Sequence, residues 1–178
     1  MKKTLLLLFT SLLFNHITFS QELSAKERAE TIARENFSKS KYMKKEKFGV
    51  TKELNRVVVS TPVIEKNVKD YSGVYKAYGF DHTLTLNIKD AQNIQATLKE
   101  NNGANSNSTS LLKNITINDA LFKAVQVNAD GTETPLEGVF INKNDNGQTE
   151  FGLGIKLSKS ITIDNALHVD KLFFKKVE

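Results

Sequence analysis

From Val57 onward, apolar and polar residues alternate with a period of two. His82, Leu84, Leu86 and Ile88 fall on one side of a segment whose other side carries Thr83, Thr85 and Asn87. Further along, Ile94, Ala96 and Leu98 oppose Asn93, Gln95, Thr97 and Lys99, and Phe151, Leu153, Ile155 and Leu157 oppose Glu150, Gly152, Gly154 and Lys156. Strict two-residue alternation describes antiparallel strands with one face buried and one face wet. The pattern predicts strands over 72–79, 82–88, 92–99, 111–117, 120–128, 134–143, 149–157 and 166–177. Turn chemistry punctuates them at Lys89-Asp90, Asp130-Gly131 and Asn146-Gly147, the last two being strong hairpin signals. Segment 101–110, NNGANSNSTS, reads as a polar loop.

Three similar stretches recur: Leu86-Asn87-Ile88-Lys89-Asp90-Ala91, Ile115-Thr116-Ile117-Asn118-Asp119-Ala120 and Ile161-Thr162-Ile163-Asp164-Asn165-Ala166. A solenoid needs a near-constant repeat, and these are unevenly spaced. Each reads as a strand end, a bend held by short polar side chains, and the chain's return. They are corners of one sheet.

Before Val57 the pattern is helical. Ser24 and Glu27 have the spacing of a capping box, and Ala25, Ala29, Ile32, Ala33, Asn36 and Phe37 form a narrow stripe over 23–38. So narrow and alanine-rich a face suits a helix laid on something else. The glycines at 152 and 154, sharing one strand face, offer it a seat because absent side chains admit close approach. A partner protein is the other occupant that seat would suit. Together these elements predict a mainly β domain: an antiparallel up-and-down meander of about eight strands, closing into a barrel or half-barrel or folding as a sandwich, with an N-terminal α-helix. Barrel closure would remove exposed edges and turn Leu84, Leu86, Ile94, Leu98, Val125, Phe151, Leu153 and Ile155 inward.

Gly73-Val74-Tyr75 opens the first strand of this meander after a short helical segment. That arrangement resembles the calycins, the lipocalin and avidin type of barrel, over about residues 70–177. In that family Gly-x-Trp marks the first strand; here tyrosine stands in the third place and the chain has no tryptophan. The resemblance implies an internal cavity open at one end for a small apolar ligand. It assigns no residue's role.

The chain's start changes the picture of where such a domain works. Lys2 and Lys3 precede an apolar run from Leu5 to Phe14, and Thr18 and Ser20 stand at minus three and minus one of a cut before Gln21. This is the layout of a secretory signal over 1–20, with an apolar core short for a bilayer span. Residues 21–56 then form the helix and a basic linker, and 57–178 the β-domain. Export to the periplasm or the medium is the expectation. The absence of cysteine excludes disulfides, thiol catalysis, iron–sulfur sites and a lipid-linked cysteine. No segment after the signal is apolar enough for a membrane-spanning helix.

The formal charge of +5 is uneven. Residues 22–56 hold ten Lys and Arg against six Asp and Glu, whereas 57–178 hold thirteen against fourteen. A nucleic-acid reader carries positive charge on its folded surface, so no nucleic-acid partner is expected. The lysine-rich stretch 39–48, KSKYMKKEKF, reads as a solvated helix end or linker, or else as an arm for an acidic partner or anionic surface.

Catalytic constellations do not emerge. His82 and His168 are the histidines beyond the signal, and Asp81 beside His82 points to the opposite strand face. His168 and Asp170 share a face but would need further ligands for a metal. GxSxG, GxGxxG and GxxxxGK are all absent. No catalytic residue, metal or cofactor is therefore assigned, and a hydrolase built on either histidine is the weakest reading. Tyr71, Tyr75, Tyr78, Phe80 and His82 cluster around the first corner and are the candidate ligand-binding residues. The expected function is non-enzymatic: an exported barrel binding a small apolar or amphipathic ligand. The alternative is an envelope protein-interaction module, docking through its outer sheet face and lysine-rich arm.

N-terminal sequencing of the protein from its own source should read from Gln21. A chain that begins at Met1 and stays with the membrane would overturn the signal assignment.

Overall fold

The computed structural model describes residues 23–38, 42–45, 51–54, 57–77, 80–101, 107–163 and 167–178. Helix α1 runs Ala25–Phe37. Its start is the capping box expected from the sequence: Ser24 Oγ accepts from the Glu27 N–H at 3.3 Å, and the Ser24 N–H donates to Glu27 Oε2 at 3.0 Å. Two satisfied donors fix the first turn, and the Ser24 hydroxyl, donating to Glu27 Oε2 at 2.8 Å, together with the Ser24 N–H holds the Glu27 carboxyl below its usual range. The basic linker holds a small hairpin in place of a helix end: β1 (Tyr42–Lys45) pairs with β2 (Thr51–Leu54). The rest of 39–50 lies outside the described residues.

Nine strands follow: β3 (Val58–Pro62), β4 (Gly73–Ala77), β5 (His82–Ile88), β6 (Ile94–Asn101), β7 (Asn107–Asn118), β8 (Leu121–Val127), β9 (Glu133–Asp145), β10 (Gln148–Ile163) and β11 (Leu167–Lys176). From β4 to β11 each strand pairs antiparallel with the next, and β11 returns to β4. The result is a closed eight-stranded up-and-down barrel, with β3 added beside the far half of β9. Closure decides between the barrel and the sandwich. Of segment 101–110, residues 107–110 belong to β7, and 102–106 lie outside the described residues.

The corners behave as their residue types require. Asn146 and Gly147 adopt φ of 50° and 85°, making a two-residue turn across which Asp145 pairs with Gln148. Asp90 accepts hydrogen bonds from the Gln92 and Asn93 N–H groups, and Asp119 turns with φ of 53°. The third corner, 164–166, lies outside the described residues, but Ile163 pairs with Leu167 across it. Asp130-Gly131 sits in the longer loop 128–132, closed by the Asn128 N–H donating to Thr132 O at 2.9 Å.

Cross-strand partners share a face, so the pairing sorts the wall into inside and outside. Leu84, Leu86, Leu98, Leu153 and Ile155 point inward and are buried; Ile94 and Phe151 also point inward, half-buried. Val125 does not join them. Phe122, opposite Gly138, and Ala124, opposite Leu136, take the interior of β8, leaving Val125 half-buried outside. Both faces of β8 carry apolar residues, so alternation alone could not choose between them.

Outside, α1 covers β3, β8, β9 and β10, burying Ala29 and Ala33 fully. Val139 and Ile141 face it from β9, which makes 138–141 buried on both sides. A Cβ placed on Gly154 would lie 2.6 Å from the Phe37 ring, so the glycine is what admits the helix end. Gly152 is filled otherwise: the Phe173 ring lies 2.8 Å from where its Cβ would be. The end of α1 also blunts the free edge of β3, since Ser38 Oγ accepts from the Ser60 N–H at 2.9 Å and Pro62 has no N–H to offer.

Gly154→Val should cost about 1–3 kcal/mol by overpacking. In a Phe37→Ala background the same change should cost clearly less, as read by urea unfolding of all four combinations. Equal costs in both backgrounds would show that Phe37 does not seat on Gly154.

Candidate functional site

The two ends of the barrel differ in chemistry. At one end the chain crosses the opening in a short 3-10 turn, Val68–Tyr71. The Tyr71 ring stacks on Phe140 with centroids 4.1 Å apart. Its hydroxyl donates toward the carbonyls of Val63 at 2.8 Å and Asp119 at 3.0 Å, and accepts from the Glu65 N–H at 2.9 Å. The Tyr75 hydroxyl donates to the Tyr71 carbonyl. Lys176 Nζ donates to Asp70 O at 2.8 Å from below the Tyr75 and Phe151 rings. Burial pushes both tyrosine hydroxyls above their ordinary range, so they remain neutral donors. This end is plugged.

The middle of the lumen is solid. Tyr75, Leu84, Phe122, Phe140 and Leu153 each show 0% exposure, leaving no room beside them for a water molecule.

The opposite end carries inward-facing polar residues. His82 on β5, Ser110 on β7 and Gln126 on β8 are 4%, 6% and 8% exposed, and half-buried Glu100 completes the run on β6. Thr83 pairs with Lys99, which sets Glu100 across from His82 one step higher. Gln126 Nε2 donates to Glu100 Oε2 at 3.1 Å and to Ser110 Oγ at 3.3 Å. The Phe80 ring lies 5.8 Å from the His82 ring, and Leu84 and Leu98 form the floor. Burial lowers the His82 pKa below its ordinary 6.5; the charges of Glu100 and Asp81 act the other way and are outweighed. A neutral imidazole, an amide, a hydroxyl and a carboxyl group therefore face inward together above an apolar floor, and this run of polar groups is the cup. Such a set can hydrogen-bond a polar group while its floor takes an apolar one.

The five sequence candidates divide between the ends. Tyr71 and Tyr75 stand in the plug and the packed core, with no surface offered to a ligand. Phe80 and His82 stand at the cup, and Tyr78 lies outside the described residues. Sequence reasoning missed Glu100, Ser110 and Gln126. The two-residue period already put Glu100 on the face of Leu98 and Ala96, but a polar residue near a strand end reads as part of the wet rim. His168 lies on β11, with its side chain outside the described residues. Among the described residues no three His, Asp or Glu side chains converge as metal ligands would, and no helix is long and apolar enough to cross a membrane.

No protein-family model matches the chain, and no curated protein or solved structure matches it significantly. The likeness to calycins is thus one of architecture: a closed antiparallel eight-stranded barrel with an extra strand.

The lowered pKa of His82 has a consequence for stability. The unfolded chain takes up the proton first, near pH 6.5, so stability is full above that value and falls as pH drops toward the folded-state pKa. Thermal melts of the wild type should lose ground against His82→Gln between pH 7.5 and 5. Parallel curves over that window would refute the burial of a neutral imidazole.

Proposed function

We propose that this protein is an exported, non-enzymatic calycin-like barrel that binds a small amphipathic ligand at the end of its lumen opposite the Tyr71 plug. The observation that carries the reading is the contrast along one lumen: a plug built from Tyr71, a core packed without gaps, and then His82, Glu100, Ser110 and Gln126 facing inward. Inward-facing polar side chains weaken a barrel core unless hydrogen bonding compensates their burial. Four of them on adjacent strands at one end, above Leu84 and Leu98, suit a ligand whose apolar part meets the floor and whose polar group meets the cup. Because the middle is filled, the ligand is small and sits shallowly. Export rests on the secretory layout of residues 1–20.

A second reading, an envelope protein-interaction module, draws on Val57, Val59 and Ile64, which stand exposed along and beside β3. The outer β3 flank and the lysine-rich arm would then meet a polypeptide or an anionic surface.

Native mass spectrometry of the protein from its own source separates the two, since a small-molecule adduct supports the first and a polypeptide the second. The neutral dye Nile red should bind saturably, with its emission shifted to the blue. Ala77→Trp, which fills the cup beside His82, should abolish that shift while circular dichroism keeps its β signature. An unliganded protein that leaves the dye's emission unchanged would sink the ligand reading.

A further inference from the structure

The barrel wall has a side opening with its own chemistry. Strand β9 is paired with β8 along 133–139 but with β10 only along 137–145. Its pairing with β10 ends at Glu137–Lys156, so among the described residues 133–136 have no strand partner on that flank. An open slot of about 460 Å³ lies there. Its apolar side is Ala124 and Leu136, cross-strand partners facing inward, together with Leu157.

The rim is charged, and the charges do not balance. Glu137 is the cross-strand partner of both Lys123 and Lys156, so a carboxylate stands between two lysines on three adjacent strands. Arg28 of α1 takes that carboxylate: Nε donates to Oε1 at 2.7 Å and Nη2 to Oε2 at 3.0 Å. A two-pronged guanidinium–carboxylate pair occupies both oxygens in a fixed plane. Among the described residues, Lys123 and Lys156 then have no ion-pair partner. Two exposed cations beside an apolar slot set positive charge and apolar surface next to one another. Their strands lie two spacings apart, about 10 Å, which long lysine side chains can close around one anionic head.

The geometry points to a lateral site for a single-chain anionic amphiphile, a long-chain carboxylate, with its head beside the Arg28–Glu137 pair and within reach of Lys123 and Lys156, and its first methylenes along Ala124, Leu136 and Leu157. Arg28 and Glu137 position it: by neutralising each other they keep the carboxylate of Glu137 from competing with the ligand's. This site uses none of His82, Glu100, Ser110 and Gln126, so either can fail alone.

The test uses dansyl-labelled undecanoic acid and its neutral methyl ester, titrated into the full chain at low salt. The acid should bind at least tenfold more tightly than the ester, with that preference shrinking as salt rises. Lys123→Gln with Lys156→Gln, both exposed and remote from the core, should bring acid and ester to the same affinity. Leu136→Asp, read beside a circular dichroism check, should weaken both. Gln126→Leu should leave the acid-to-ester ratio unchanged, which separates this site from the cup. Equal binding of acid and ester to the wild type, a preference that survives the double lysine change, or no binding of either would overturn the proposal.

Discussion

The seam between β4 and β11 is the constraint on which the other features rest. Three residue pairs make it, Phe174 with Ala77, Lys175 with Lys76 and Lys176 with Tyr75, extended where Val177 N–H donates to Val74 O and Val74 N–H donates to Glu178 O. Without that seam the meander would be an open sheet with two unpaired edges and one greasy face. With it, the inward side chains at the middle of the barrel are enclosed on all sides. Eight strands enclose a space that side chains can fill, and here Tyr75, Phe122, Phe140 and Leu153 fill it. The enclosure is also what dries the cup, so that an imidazole placed on β5 loses its charge more readily than it would in water.

Helix α1 extends the same logic to the outer wall. Residues 138–141 are buried on both faces, which one sheet surface alone could not achieve. Small residues on both sides make the contact possible: Ala29 and Ala33 on the helix, Gly154 on the wall. The same helix brings Arg28 to Glu137 and so decides the charge left over at the slot. A covering element with a narrow face thus shapes a surface it was not obviously meant to form.

Most strands were legible because strand and turn physics are local. Period-two alternation located the eight barrel strands to within a few residues, save for longer reaches such as β10, which runs on to Ile163. Asn146-Gly147 announced a turn that its φ angles require, and Ser24 with Glu27 announced the helix start. The hairpin of β1 and β2 was not legible, because Tyr42-Met43-Lys44-Lys45 has no alternating face. Strand β3 was missed as well: it is short, ends in proline, and owes its burial to Ser60 meeting Phe37 O at 2.8 Å and Ser38 Oγ at 2.9 Å. Val125 was placed on the wrong side because Leu121 and Val125 alternate as convincingly as Phe122 and Ala124.

The candidate sites were less legible for the same reason in reverse. Polar residues at strand ends look like a solvated rim, and nothing within a segment says that Glu100, Ser110 and Gln126 will meet. The sequence by itself determined the strand set, the corners, the capped helix and the single apolar face, since each depends on residues within a few positions of one another. Tertiary structure alone decided that the sheet closes, that Tyr71 plugs one end, that His82 gains its neighbours at the other, and that Lys123 and Lys156 flank a slot. Those outcomes depend on register between residues far apart in the chain, where one step of slip would exchange the inside for the outside.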